Sequence, residues 1–313
     1  MKSSSIKIII ISYPGCMQSA VLALKELFTL ANNICVQNDV KRKFDIEIIN
    51  IKALRLSNKK TQQNHILIIP PNIEGYYYLE PDQFLINWII KQHEQGCIIC
   101  SICAGTFILA KTGLLDNREV TTHWMLANEF KQNFSKIRLN TNKIIINNGD
   151  IISAGGLMSW VDLGLELVTQ FTNTKIMREL GKLLVVDTGL REQRYYKSFT
   201  PKLNHQDTAI IKSQHHIQKN FNKTITVKQL AALSFLGERT FLRRFFKATA
   251  LTPNQYLQKT RVQKACEILE SSSKTIENIA YQVGYQDSSA FRKTFIKIIG
   301  LTPKAFKNRF YKQ

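Results

Sequence analysis

No run in the 313-residue chain approaches the 18 or more apolar residues that a transmembrane helix needs, so no membrane span is expected. The apolar run 6–11 behind Met1-Lys2-Ser3-Ser4-Ser5 is too short for the core of a secretory signal, and Lys7 interrupts it. Cysteine is sparse and irregularly spaced, six residues in a chain large enough to bury a core of its own. That excludes a disulfide-stapled scaffold and points to reduced thiols in a cytosol. Cys97, Cys100 and Cys103 imitate an iron–sulfur spacing, but no fourth ligand lies nearby, and Cys97 and Cys100 would point to opposite faces of a strand. Neither a metal nor another cofactor is expected. Acidic residues are scarce, 23 against 43 Lys+Arg, for a net charge of +20. From His205 onward there are 19 Lys+Arg against 6 Asp+Glu, so +13 of the total sits in the last third and +7 in the remainder. Charge concentrated in this way suits phosphate neutralisation and salt-sensitive binding to a polynucleotide. Lys41-Arg42-Lys43 and Asn58-Lys59-Lys60 read as solvated loops. The length allows two domains.

What is present is a repeat. Phe241-Leu242-Arg243-Arg244-Phe245-Phe246-Lys247, followed by Leu251-Thr252-Pro253, recurs fifty residues later as Phe291-Arg292-Lys293-Thr294-Phe295-Ile296-Lys297 and Leu301-Thr302-Pro303. One unit used twice governs any fold assignment. In the first unit Val227, Leu230, Ala231 and Leu233 line one face of a short helix. Gly237 is expected to break the pattern at a turn, before a second helix anchored inside by Phe241 and Phe245. Its outer face carries Arg239, Leu242, Arg243 and Lys247. In the second unit Ile276, Ile279 and Ala280 support, Gly284 turns, and Phe291 and Phe295 anchor; Ser288, Ser289, Arg292 and Lys293 face outward. A helix apolar inside and basic outside, braced by another across a tight turn, suits the major groove. The stretch 254–270 reads as one helix of roughly 25 Å, which would hold the two readers about one ~34 Å DNA turn apart.

This segment resembles the AraC/XylS-family DNA-binding domain, most diagnostically in Ile276-Glu277-Asn278-Ile279-Ala280, Val283-Gly284-Tyr285-Gln286-Asp287-Ser288-Ser289-Ala290-Phe291 and Gly300-Leu301-Thr302-Pro303. The resemblance implies base-reading roles for Arg239, Leu242 and Arg243, and for Ser289, Arg292 and Lys293. Leu242 offers apolar contact, for instance to a thymine methyl, and Arg243 a two-pronged grip on guanine.

In the first two hundred residues, apolar strands at 7–12, 44–51, 66–70 and 97–101 alternate with helices at 18–32 and 82–95, the pattern of a parallel sheet covered on both faces. Residues 144–152 read as two strands around an Asn-Gly turn, followed by a helix at 157–172. Tyr76-Tyr77-Tyr78 is open to packing, a lid or a dimer contact. At Ser101-Ile102-Cys103-Ala104-Gly105-Thr106 a buried strand runs into a helix at 106–111, a small-residue corner of the kind that projects a nucleophile. A helix N-terminus there would favour a Cys103 thiolate. His123, in Thr121-Thr122-His123-Trp124, is a candidate hydrogen-bond partner for the sulfur.

The segments 101–116, 121–124 and 153–163 (Ser153-Ala154-Gly155-Gly156-Leu157-Met158 and onward) resemble the class I glutamine amidotransferase/PfpI superfamily. More narrowly they resemble GlxA-type regulators, which fuse such a domain to an AraC-type C-terminus. Lys182-Leu183-Leu184-Val185-Val186-Asp187 and Glu192-Gln193-Arg194-Tyr195-Tyr196 are similar to that family's junction. The resemblance implies an α/β flavodoxin-like doubly wound domain over 1–188, a linker over 189–204, and an all-α domain with two helix-turn-helix motifs over 205–313. The family places an acid shortly after Pro14-Gly15, where this chain has Ala20; Ala23-Leu24 and Pro70-Pro71-Asn72-Ile73-Glu74 also depart from its pattern. Hydrolysis loses ground, and Cys103, Ala104, His123, Pro14, Gly15 and Ala20 outline an effector pocket or a vestigial catalytic site. Expected partners are double-stranded promoter DNA, a small-molecule effector, a second copy of the chain and RNA polymerase; the expected place is the cytoplasm, at the nucleoid. A Cys103-dependent hydrolase and a Cys103 redox sensor are the competing readings.

Overall fold

The structure is a computed structural model, and it describes residues 4–56, 65–189 and 191–311; Asn58-Lys59-Lys60 lies outside the described residues. The chain divides into two compact units, Met1–Gln193 and Arg194–Gln313.

In the first unit β1 (Ser4–Ser12) leads to α1 (Gln18–Gln37), β2 (Arg42–Asn50) to the short α2 (Ile51–Leu56), β3 (Ile66–Ile69) to α3 (Gln83–Glu94), and β4 (Ile98–Ile102) to α4 (Gly105–Ala110). There follow β5 (Glu119–Val120), α5 (Ala127–Asn133), β6 (Arg138–Leu139), the hairpin strands β7 (Ile145–Asn147) and β8 (Ile151–Ala154), α6 (Trp160–Phe171) and α7 (Thr174–Leu184). The main sheet has the order β2-β1-β3-β4-β8-β7. Its first five strands are parallel and β7 runs antiparallel to β8. Every residue of β3 is buried, as a strand flanked by strands and covered on both faces requires. The arrangement is the expected flavodoxin-like, doubly wound one. In such sheets the strand order reverses beside β1, and loops at the carboxyl ends of the strands build the binding crevice.

By length and composition α1 could cross a membrane. Instead it is a core helix, burying Val21, Leu24, Leu27, Phe28, Ala31 and Ile34 and packing with α6 and α7. Of the three consecutive tyrosines, Tyr78 is buried edge-on against Phe107 and Tyr77 stacks on Tyr13, while Tyr76 is exposed. The small β5–β6 sheet was not foreseen, because two-residue strands carry no periodic signal. The helix expected from residue 157 begins only at Trp160, and the strand expected to run to residue 51 yields to α2 there.

The second unit is all helical: α8 (Thr208–Lys219), α9 (Val227–Leu233), α10 (Glu238–Thr249), α11 (Pro253–Ser271), α12 (Ile276–Gln282), α13 (Ser288–Ile299) and α14 (Pro303–Phe310). The repeated Leu-Thr-Pro is a helix start. Thr252 and Thr302 accept from the third-position amides of α11 and α14, and Pro253 and Pro303 occupy first-turn positions where a missing N–H costs nothing.

Each helix-turn-helix has its own core. Phe241 and Phe245 join Ile210, Ile217, Leu230 and Ala231 in one; Phe291 and Phe295 join Ile279, Ala280, Val283 and Phe306 in the other. Helix α11 serves both, with Tyr256 and Leu257 in the first core and Val262, Ala265, Cys266 and Leu269 in the second. Nineteen residues long, it is a rigid spacer of about 28 Å.

One turn differs from expectation. Gly237 is extended (φ −67°) and caps α10, whereas the left-handed turn residue of the first unit is Phe235 (φ 54°). Its counterpart Gly284 has φ 89°, and a Cβ there would sit 2.7 Å from the Asn222 carbonyl oxygen. The first turn leaves room for a side chain that the second excludes.

Candidate nucleic-acid interface and cysteine corner

On α10, Arg239, Leu242, Arg243 and Lys247 are all exposed, and on α13 so are Ser289, Arg292 and Lys293, with Ser288 half-buried. Burial of Phe241 and Phe245, and of Phe291 and Phe295, fixes this orientation, since residues four apart share a face. The neighbouring Arg244 turns away from that set: its Nε and Nη2 donate to Asp207 at 2.9 and 2.7 Å, and Asp207 in turn caps α8. That pairing holds the Asp207 carboxyl below its usual range. Asp287 accepts from the Ser289 and Ala290 amides at the start of α13. The Arg292 Nη2 pairs with Glu277 of the support helix α12, with both side chains half exposed. In the first unit Lys228 stands at the equivalent position of the support helix, so the first outer face is the more basic of the two.

In the first unit of the chain Cys103 sits at the sharp end of β4, buried (3% exposed) with φ 54°. A non-glycine residue in that region is strained, as at a nucleophile corner. The expected thiolate does not follow. Burial pushes the thiol up to about 12, against a smaller opposing pull from a hydrogen bond with the Ala104 amide. Desolvation outweighs the helix N-terminus, and the sulfur is a neutral thiol at neutral pH.

His123 and the thiol share no hydrogen bond. The His123 Nδ1 accepts from the Met125 amide at 3.1 Å, its ring stacks on Trp124, and burial lowers its pKa, leaving it neutral. Ala20 is fully buried near the start of α1. The polar group of that loop is Gln18, whose Nε2 donates to Cys16 Sγ at 3.0 Å. The Gly15 carbonyl accepts from the Ile73 and Glu74 amides and the Pro14 carbonyl from Asn72, so the loops after β1 and β3 are laced together. Among the described residues no group of three or more His, Cys, Asp or Glu could hold a metal.

What binds the corner together is a buried hydroxyl and amide network that sequence reasoning missed. Thr122 donates its Oγ1 to the Cys103 carbonyl at 2.6 Å, and Thr106 links Ser101 to the Thr121 carbonyl. Gln193, 4% exposed, completes it. Its Nε2 lies within hydrogen-bonding distance of Thr121 Oγ1 (2.9 Å) and of the Thr122 (3.0 Å) and Lys143 (2.9 Å) carbonyls, which share its two N–H groups, while Oε1 accepts from the Trp124 amide (3.2 Å). Gly155 makes the space: a Cβ there would lie 1.9 Å from Nε2. Gln193 is anchored in the first unit, whereas Phe199 packs on Tyr256 and Tyr196 on Phe310 in the second.

With this geometry established, comparison with known proteins places the two halves. Residues 32–170 match the DJ-1/PfpI family, and residues 230–309 match a helix-turn-helix domain. The chain combines a DJ-1/PfpI domain with an AraC-type helix-turn-helix domain, an arrangement consistent with a GlxA-type regulator. It is 25% identical over 216 residues to the HTH-type transcriptional regulator ArgR of Pseudomonas aeruginosa, covering 68% of this chain and 65% of that one. It is 24% identical over 217 residues to the HTH-type transcriptional regulator GlxA of Rhizobium meliloti, covering 68% and 66%. The chain thus spans just under two thirds of the length of these relatives. A crystal structure from Vibrio parahaemolyticus superposes with a TM-score of 0.50 at 21% identity, covering 58% of this chain and all of that one, a likeness of fold.

Proposed function

We propose that this protein is a sequence-specific DNA-binding transcription regulator whose DJ-1/PfpI domain senses a small molecule instead of transforming one. The observation that carries the reading is the pair of outward basic helices, each seated on its own aromatic core and both cores pinned to one helix, α11. Two surfaces held at a fixed interval by a rigid rod fit successive major-groove faces of one duplex. The +13 charge from His205 onward supplies the phosphate attraction. The regulators similar in sequence support the same assignment.

The corner at Cys103 suits recognition better than acyl transfer, since a neutral buried thiol with no basic partner is a poor nucleophile. Its neutral His123, strained backbone and satisfied polar network describe a preorganised binding loop. We place the domain boundary at Gln193, assign the effector to the strand-end loops that carry Cys103, Ala104, His123, Pro14 and Gly15, and take the functional form to be a homodimer acting at promoters in the cytoplasm.

The test is a mobility shift with duplexes selected from a random library by the full-length protein. Specific binding should weaken steeply between 50 and 200 mM salt, by roughly 10³-fold or more if six or more phosphates are contacted. Amide or ester turnover abolished by Cys103→Ala, with no selected sequence, would overturn the assignment in favour of a hydrolase.

A further inference from the structure

The outer face of α10 holds more than its basic residues. Arg239, Leu242, Arg243 and Phe246 follow the spacing i, i+3, i+4, i+7 and lie within an arc of about 100° on the side away from Phe241 and Phe245. Leu242 is 40% exposed and Phe246 56%. On α13 the same spacing gives Ser289, Arg292, Lys293 and Ile296, with Ile296 41% exposed. An uncovered apolar side chain thus stands at the same place in both copies, fifty residues apart, each next to residues whose charge draws in phosphate. The homeodomain variant of the helix-turn-helix lays four side chains at this spacing along the groove floor. There an apolar side chain has one distinctive mark to read, the C5-methyl of thymine. Neither side chain is used up by the core beneath it, and neither has a donor for a phosphate.

We propose that Phe246 is a base-reading residue that packs on a thymine methyl, with Ile296 its counterpart in the second unit, so that each half-site carries a T·A pair opposite the last turn of its helix. This rests on the DNA-binding reading above. Together with Leu242 it makes the first half-site the more thymine-dependent of the two, with Arg239 and Arg243 reading its neighbouring guanines. Ile296 also borders a groove of about 290 Å³ shared with Ile276, Arg292, Thr302, Pro303 and Lys304. Phe246 is therefore the cleaner residue to test.

The experiment selects a duplex from a random library with the full-length protein, then replaces each thymine in turn with deoxyuridine, which removes the methyl alone. At one position the wild type should lose about 4-fold in affinity, the factor corresponding to roughly 0.8 kcal/mol for one buried methyl-sized group. Phe246→Ala should bind the parent site more weakly and be indifferent to deoxyuridine at that position only. Phe246→Gln, which retains a long side chain, should behave the same way, and both variants should keep the wild-type melting temperature. A wild-type deoxyuridine profile in both variants would overturn the proposal and leave Phe246 facing a protein partner. Failure to select any sequence would instead overturn the DNA-binding reading itself, and this proposal with it.

Discussion

Truncating Gln193 to alanine separates a structural latch from a passing contact. The side chain has four polar partners, with its two N–H groups shared among Thr121 Oγ1 and the Thr122 and Lys143 carbonyls, and its oxygen accepting from the Trp124 amide. Two carbonyl acceptors keep a second partner in the variant, because Thr121 Oγ1 donates to the Lys143 oxygen at 2.9 Å and lies 3.4 Å from that of Thr122. One hydroxyl has one proton, however, so one carbonyl goes short, as does the Trp124 amide. At ~1–3 kcal/mol for each of the two unsatisfied groups the loss should be about 2–6 kcal/mol. In a unit of this size that lowers the melting temperature by about 4–24 °C.

Gln193→Glu should be at least as harmful at neutral pH, since a carboxylate meets three acceptors. The introduced carboxyl would be protonated more readily in the native state than in the unfolded chain. The stability it retains at low pH should therefore be lost as pH rises above the unfolded value near ~4.3. Gly155→Ala should fail for the complementary reason, its methyl clashing with Nε2. Yet the double variant Gln193→Ala/Gly155→Ala should be more stable than the two single losses summed, because truncating Gln193 removes the two closest contacts of the added methyl and leaves only the Thr122 carbonyl at 2.8 Å. Thermal unfolding of the full-length protein measures all of these. A shift under 2 °C for Gln193→Ala, or strict additivity in the cycle, would refute the latch.

Three further outcomes follow from the same structure. All six cysteines are buried, and burial pushes the Cys103 thiol up to about 12, so a thiol reagent at pH 8 should leave the native protein essentially unlabelled and label all six in denaturant. Rapid native labelling of Cys103 would revive the redox reading. Asp150 is held to about 2, chiefly by its hydrogen bond from Arg118 (2.6 Å), with His93 assisting (2.8 Å). A depressed carboxylate stabilises above its unfolded pKa near ~4 and loses that contribution as pH falls toward 2. Because the side chain is 43% exposed, Asp150→Asn should cost only about 1 kcal/mol at pH 7 by denaturant titration, with the gap closing below pH 4. Arg243→Ala and Lys293→Ala should each weaken specific binding by roughly 1–3 kcal/mol, while an equal loss on random duplex would make them phosphate contacts.

The parts of this molecule that could be read in advance are those set by local period. Phe241 and Phe245, or Phe291 and Phe295, announce a buried face by their four-residue spacing, and that alone orients Arg243 outward. The strand into Cys103 was legible for the same reason. The state of its thiol was not, because a helix N-terminus is visible in sequence whereas the walls that desolvate a sulfur come from elsewhere in the chain. Gln193 was out of reach on similar grounds: its partners lie fifty to seventy-two residues away, and glutamine carries no periodic signature. The two turns show how far such reasoning extends. A glycine in each unit invited equal roles for Gly237 and Gly284, but what demands glycine at Gly284 is the Asn222 backbone pressed against it. Where that neighbour is lacking, the first unit tolerates the backbone strain of Phe235 and leaves its ring 88% exposed under Lys212. Duplication preserved the helix faces, which packing dictates, and let the turns diverge, where only local contacts decide.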